Sequence, residues 1–180
     1  MKIVFVHFGP KLPRILIQII RRTCDFFPNY QVVLLVDNIH VNRIERTNAQ
    51  IQQIVLHAQY SEIQHRLNHP KEFRNNFWFT SLARLTAVAD FVIENNSPVL
   101  HIESDVLIAG DFPMGKFLEL DRPIAYTILG ANSGVASVFW MSSVQSAMEF
   151  KQYIEHSVSM DPNTTDMRIL GSFRRENPEM

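Results

Sequence analysis

Short runs of consecutive apolar, often β-branched residues alternate along the chain with longer stretches in which apolar positions recur every three or four residues. That alternation predicts strands and helices in turn. Residues 3–8 form the first run, closed by Gly9-Pro10, which suits a strand buried on both faces and ended by a turn. Over residues 13–27, Ile15, Leu16, Ile19, Ile20, Phe26 and Phe27 recur at largely helical spacing. Pro13 is suited to the first turn and Pro28 marks the exit. A second buried strand follows over residues 32–36 and ends in Asp37-Asn38, whose side-chain oxygens favour a turn. Strand, helix, strand makes a βαβ unit. Residues 51–56 suggest a third short strand after a polar helix or loop over residues 42–50.

The polar stretch 61–76 precedes the strongest helical pattern, residues 77–94. There Phe79, Leu82, Ala83, Leu85, Thr86, Ala89, Val92 and Ile93 supply a broad apolar face, and residues 95–98 supply the stop. The next strand, residues 99–102, runs directly into Glu103-Ser104-Asp105, with residues 106–108 continuing in extended form. Positions two apart share a face of an extended strand, so both carboxylates could reach one cation. Ligands of α/β sheets bind outside the carboxyl ends of the strands, where this pair falls. Spacing alone fits a solvated strand-end turn as well. Residues 124–129 and 135–141 read as two more strands, and Ser142-Ser143 can cap a helix to about His156. The expected fold is α/β: one domain over residues 1–180, a mixed sheet flanked by helices.

Composition narrows the chemistry. Of the 180 residues 46% are hydrophobic and 19% charged, which excludes a disordered chain. A net charge of -1 provides no basic field for a phosphate backbone, so nucleic acid is not an expected partner. Cys24 is the only cysteine, which removes a disulfide framework and a Cys-cluster zinc site and fits a reducing, cytoplasmic setting. The apolar runs fall well short of the roughly 20 residues that a membrane-spanning helix needs. The seven histidines form no HExxH pair, and no GxxxxGK[ST], GxGxxG or GxSxG motif is present.

Residues 84–91 followed by 99–108, with Glu103-Ser104-Asp105 inside them, resemble the helix, strand and acidic motif of nucleotide-sugar-dependent glycosyltransferases of the GT-A fold, a Rossmann-like architecture. The usual motif is Asp-x-Asp, and this chain has Glu first. The resemblance implies Mn²⁺ or Mg²⁺ held against a donor diphosphate, with Asp105 as direct ligand and Glu103 as partner of the metal or the ribose. Asn132-Ser133-Gly134-Val135 is similar to a segment of the same fold that borders the donor sugar. On that reading Asn132 offers a donor and an acceptor to sugar hydroxyls, and Gly134 lets backbone approach a ligand. Residues 166–170 are similar to a segment that supplies an acceptor-side acid, here Asp166, although an acid at the start of a short helix reads equally well. By the same resemblance Phe8 and Gly9 lie where the base and ribose bind, Asp37 accepts from the base, and Arg84 points to the diphosphate.

The resemblance thus implies a metal-dependent transferase that moves a sugar from a nucleoside-diphosphate sugar to a carbohydrate, lipid-linked or protein acceptor. It is expected to work in the cytoplasm or peripherally at the inner membrane face. Many such enzymes carry a carboxyl-terminal metal ligand and closing segment. Residues 174–179 form a polar tail with no clear equivalent, which leaves a fragment, a compact variant or a degenerate copy open. The competing reading is an inactive relative that binds a nucleotide or partner. A sugar nucleotidyltransferase is less favoured, because residues 9–14 lack a Gly-x-Gly-x-Arg opening.

Overall fold

The structure, a computed structural model, describes residues 1–9, 11–37, 49–53, 58–71, 73 and 76–179. Pro10, Asn38, residues 42–48 of the expected polar helix or loop and residues 54–56 of the expected third strand lie outside the described residues. In chain order the elements are β1 (Lys2–His7), α1 (Arg14–Phe26), β2 (Gln31–Val36), β3 (Gln50–Gln53), α2 (Ala58–Arg66), α3 (Phe77–Asn95), β4 (Val99–Ile102), a 3-10 helix (Met114–Glu119), β5 (Ile124–Gly130), β6 (Ser133–Met141), α4 (Val144–Met160) and α5 (Asp166–Glu176).

Among the described residues the strands form one six-stranded sheet, ordered β3-β2-β1-β4-β6-β5. Strand β1 pairs in parallel with β2 and with β4, and β2 pairs in parallel with β3. Strand β6 runs antiparallel to both β4 and β5, which makes the sheet mixed. The chain moves from β1 to β2 through α1, yet reaches β1's other neighbour, β4, only after β3, α2 and α3. Strand order therefore reverses direction between β1 and β4, and the carboxyl ends of these parallel strands open on one edge.

The unbroken apolar runs follow from burial on both faces. Ile3, Phe5, Val32 and Leu34 pack with Leu16, Ile19 and Ile20 of α1. Alternate positions Val4, Val6, Val33 and Leu35 pack on the other face, with Leu82, Leu85 and Val88 of α3, Phe150 and Ile154 of α4 and Ile169 and Leu170 of α5. Leu85 is fully buried, and its truncation to alanine should cost about 2–5 kcal/mol. Helix α3 ends at Asn96, left-handed at φ 46°, a conformation that asparagine tolerates better than most residues. Helix α4 begins with a capping box between Ser143 and Ser146. Asp90 of α3 accepts from Tyr60 of α2 at 2.9 Å and pairs with Lys151 of α4 at 2.6 Å, tying three helices together.

Several expectations are corrected. Strand β4 stops at Ile102, and residues 106–108 are loop instead of continuing strand. Helix α4 runs to Met160, four residues beyond the expected end. Helix α2 starts at Ala58 and runs to Arg66, into the stretch 61–76 read as merely polar, with Tyr60 and Ile63 anchoring it on the core. The expected polar tail begins within α5, where Phe173 is buried and the helix continues to Glu176. No helix among the described residues is long and apolar enough to cross a membrane.

Candidate active site

Three segments gather at the carboxyl edge of β1, β2 and β4. After β1, Gly9 adopts φ +128°, a conformation that side-chain-bearing residues rarely take, and its N–H donates to both carboxylate oxygens of Asp37 at 3.1 and 3.2 Å. The bond fastens the loop after β1 to the end of β2 and occupies part of the Asp37 carboxylate. Phe8 is half-buried against the core shared with α3, α4 and α5. His7 donates through Nε2 to the Lys11 carbonyl at 3.0 Å, closing the loop from its other side.

After β4 the chain turns at once, with the Val106 N–H bonded to the Glu103 carbonyl at 3.1 Å. Glu103 and Asp105 therefore lie in a turn, and the two-residue alternation of an extended strand does not govern them. Their environments differ. Glu103 is half-buried and its Oε1 lies 2.6 Å from Nη2 of Arg84, a charge-assisted contact between side chains 21% and 15% exposed. Asp105 is exposed and has no hydrogen bond or ion pair among the described residues.

Arg84 joins the elements of this corner. It projects from α3, meets Glu103 after β4, and lies 3.7 Å from the Asp166 carboxylate at the first turn of α5. Its Nε is buried with no partner among the described residues. Burial raises the Asp166 pKa above the ordinary carboxylate value, against the opposing pull of Arg84 and of backbone N–H groups at the helix start. His101, in the middle of β4, is fully buried. Its Nδ1–H donates to the Val4 carbonyl at 2.9 Å, which leaves Nε2 as an unpartnered acceptor. Burial first, and the Arg84 charge second, lower its pKa to about 3, so the imidazole is neutral near pH 7.

Ala131 and Asn132 form the β5–β6 turn, Ser133 and Gly134 open β6, and this segment lies against α5. Asn132 Oδ1 accepts from Arg175 at 2.6 Å. A Cβ on Gly134 would sit 2.7 Å from Leu170 Cβ and 2.9 Å from the Tyr126 ring, so the neighbour that closes on this glycine is protein. The complementary glycine is Gly171 of α5, where a Cβ would stand 2.2 Å from the Asn132 carbonyl carbon. Tyr126 completes the contact by donating to the Leu170 carbonyl at 2.7 Å, and burial, the largest cause, pushes its pKa up to about 12. Ser133, the first residue of β6, is half-buried. Helix α5 thus carries both motifs, with Asp166 beside Arg84 and Gly171 under the hairpin.

His101 and Gly171 carried signals that the sequence made available: a polar residue inside an apolar strand, and a helical glycine whose cost of about 1 kcal/mol against alanine needs a packing reason. The Arg84–Glu103 and Arg84–Asp166 contacts join separate elements and had no such signal.

No protein-family model matches the sequence. No curated protein matches it either. Solved structures do. Galactosyltransferase LgtC, crystallised with donor and acceptor sugar analogs, superposes with a TM-score of 0.63 at 14% identity, over 96% of this chain and 70% of that one. The PaToxG glycosyltransferase superposes at 0.59 with 9% identity, over 98% of this chain and 68% of that one. Identities this low speak for the fold alone: the chain has the mixed α/β architecture of the GT-A glycosyltransferases.

Proposed function

We propose that this chain is a metal-dependent glycosyltransferase that transfers a sugar from a nucleoside-diphosphate sugar to an acceptor hydroxyl. The observation that carries the reading is the convergence of the Glu103–Asp105 turn, Arg84 and Asp166 at the β1/β4 crossover. That convergence sits in a fold shared with a galactosyltransferase that binds donor and acceptor sugar analogs.

Asp105 suits a hard divalent cation: an exposed carboxylate at a strand's carboxyl end, with no partner of its own among the described residues. Mg²⁺-like ions take one or two protein carboxylates and fill the remaining positions with substrate phosphates and water. When bound, Mn²⁺ or Mg²⁺ would neutralise charge on the departing diphosphate.

The chain's own groups do the rest. Arg84 presents a guanidinium toward the diphosphate, adding positive charge in a partly dry corner where electrostatic stabilisation is strong. Gly9 and Asp37 fix the loop after β1 as a rim for base and ribose, with Phe8 supplying aromatic surface. Asp166, made more basic by burial, orients or accepts the proton of the acceptor hydroxyl. Asn132, with Ser133 beside it, borders the donor sugar once its amide exchanges Arg175 for a hydroxyl, while Gly134, closed over by Leu170 and Tyr126, holds the hairpin against α5. Carbohydrate, lipid-linked or protein acceptors all present the hydroxyl this chemistry needs, and the cytoplasm supplies the donor.

Thermal unfolding of the purified chain with UDP, GDP, CDP, ADP and TDP, each with Mn²⁺ and with chelator, tests the reading. A ligand present at 100 times its Kd stabilises by about 2.7 kcal/mol, which for a chain of this size raises Tm by roughly 5–10 °C. The expected result is a metal-dependent rise for one nucleotide that vanishes in Asp105→Asn. No rise with any of them, or a rise that Asp105→Asn retains, rejects the assignment.

A further inference from the structure

Building on the glycosyltransferase reading, we infer that Glu103 is a positioning residue for Arg84 and that, of the two acids in this turn, it is Asp105 that supplies a carboxylate to the metal. Three observations carry this. The first is the contact: Glu103 Oε1 is 2.6 Å from Arg84 Nη2, and both side chains are mostly withdrawn from water. A cation taking Glu103 would strip a largely buried guanidinium of its nearest counter-charge. Asp166 would remain only at 3.7 Å, and the buried Nε already has no partner among the described residues.

The second is the turn. Because β4 ends at Ile102 and Val106 bonds back to Glu103, the two carboxylates leave the strand alternation that would aim them at one ion. Glu103 ends half-buried against α3 and Asp105 exposed. The third is side-chain length. Glutamate reaches one methylene further than the aspartate of the usual motif, and here the added reach goes to a helix-borne arginine. Held by Glu103 from the turn after β4 and by Asp166 from α5, Arg84 is fixed before any donor arrives, which lowers the ordering cost of binding a diphosphate.

The test separates metal affinity from nucleotide affinity. Mn²⁺ binding is followed by the paramagnetic resonance signal of free Mn²⁺, and nucleotide binding by calorimetry with the diphosphate that stabilises the wild type. The variants are Glu103→Gln, Arg84→Met, their double and Asp105→Asn. Glu103→Gln should leave Mn²⁺ affinity within about 2-fold, the scatter expected of independent sites. Glu103→Gln and Arg84→Met should each lower nucleotide affinity about 10-fold, as loss of a charged hydrogen bond does. Their double should fall no further than either single variant, because both remove one interaction.

Even outer-shell partners of a metal are worth about 10-fold or more. A Glu103→Gln loss of that size in Mn²⁺ affinity, matching Asp105→Asn, makes Glu103 a ligand and overturns the inference while leaving the glycosyltransferase reading intact. Additive losses in the double variant overturn it too, as does unchanged nucleotide binding in Glu103→Gln. A wild type that binds no Mn²⁺–nucleotide pair rejects both readings together.

Discussion

The turn after β4 and the turn between β5 and β6 carry similar polar, ligand-like residues, yet their surroundings are opposite in kind. The first is an electrostatic junction, where Glu103 is satisfied by a single arginine and Asp105 stands exposed. The second is a steric junction, where Gly134 and Gly171 let a hairpin and a helix approach so closely that backbone meets backbone. Charge at the first can be altered with little disturbance to packing, whereas added volume at the second must move the chain. On the proposed reading the first junction carries the charges that meet the donor, the glycines of the second hold the hairpin and its Asn132 in place, and α5 connects the two through Asp166 and Gly171.

The largest expected effect lies on the steric side. Gly171→Val puts atoms where the Asn132 carbonyl group already stands, and overpacking against backbone should cost about 3 kcal/mol. In a thermal scan that is roughly 6–12 °C. An unchanged midpoint would show that the hairpin and α5 are not packed as described. On the electrostatic side, acid should matter more than volume. Folding lowers the His101 pKa from 6.5 to about 3, so between these values the unfolded chain takes up the proton first. Stability then falls as pH drops through that window and is untouched above it. Urea midpoints at pH 7 and pH 5 for wild type and His101→Gln should converge on the acid side. Parallel curves would remove His101 from the account.

Smaller changes sharpen the contrast. Tyr126→Phe removes the bond to the Leu170 carbonyl and should cost about 1 kcal/mol in urea denaturation. Arg175→Ala frees Asn132 at an exposed position, and its cost should stay below about 0.5 kcal/mol. A larger loss at Arg175 than at Tyr126 would mean that side-chain bonding, and not close packing, holds the hairpin.

The apolar runs at β1, β2 and β4 were legible because strands buried on both faces need unbroken apolar sequence, and α3 because its stop signal and apolar face agree. The cap of α4 could be read from Ser142-Ser143. Helix α2 was not legible, since its buried anchors Tyr60 and Ile63, although at the i, i+3 spacing of a helix face, are too few among polar residues to set a pattern. The loop after Ile102 was misread as strand, because Val106 and Ile108 look extended by composition while the turn hydrogen bond at Glu103 leaves no trace in residue type.

Local sequence therefore determined most of the strands and helices, and that two carboxylates follow a central strand, since these depend on hydrophobic period and neighbouring turn chemistry. Only the tertiary structure decided that Glu103 belongs to Arg84, that Asp166 joins them, and that Gly134 faces Leu170 and Tyr126. Apart from Gly134 and Tyr126, which meet within one hairpin, those pairings join separate elements of the fold. Their partners are chosen by the order of strands in the sheet and by the packing of α3 and α5 upon it, which no local pattern encodes.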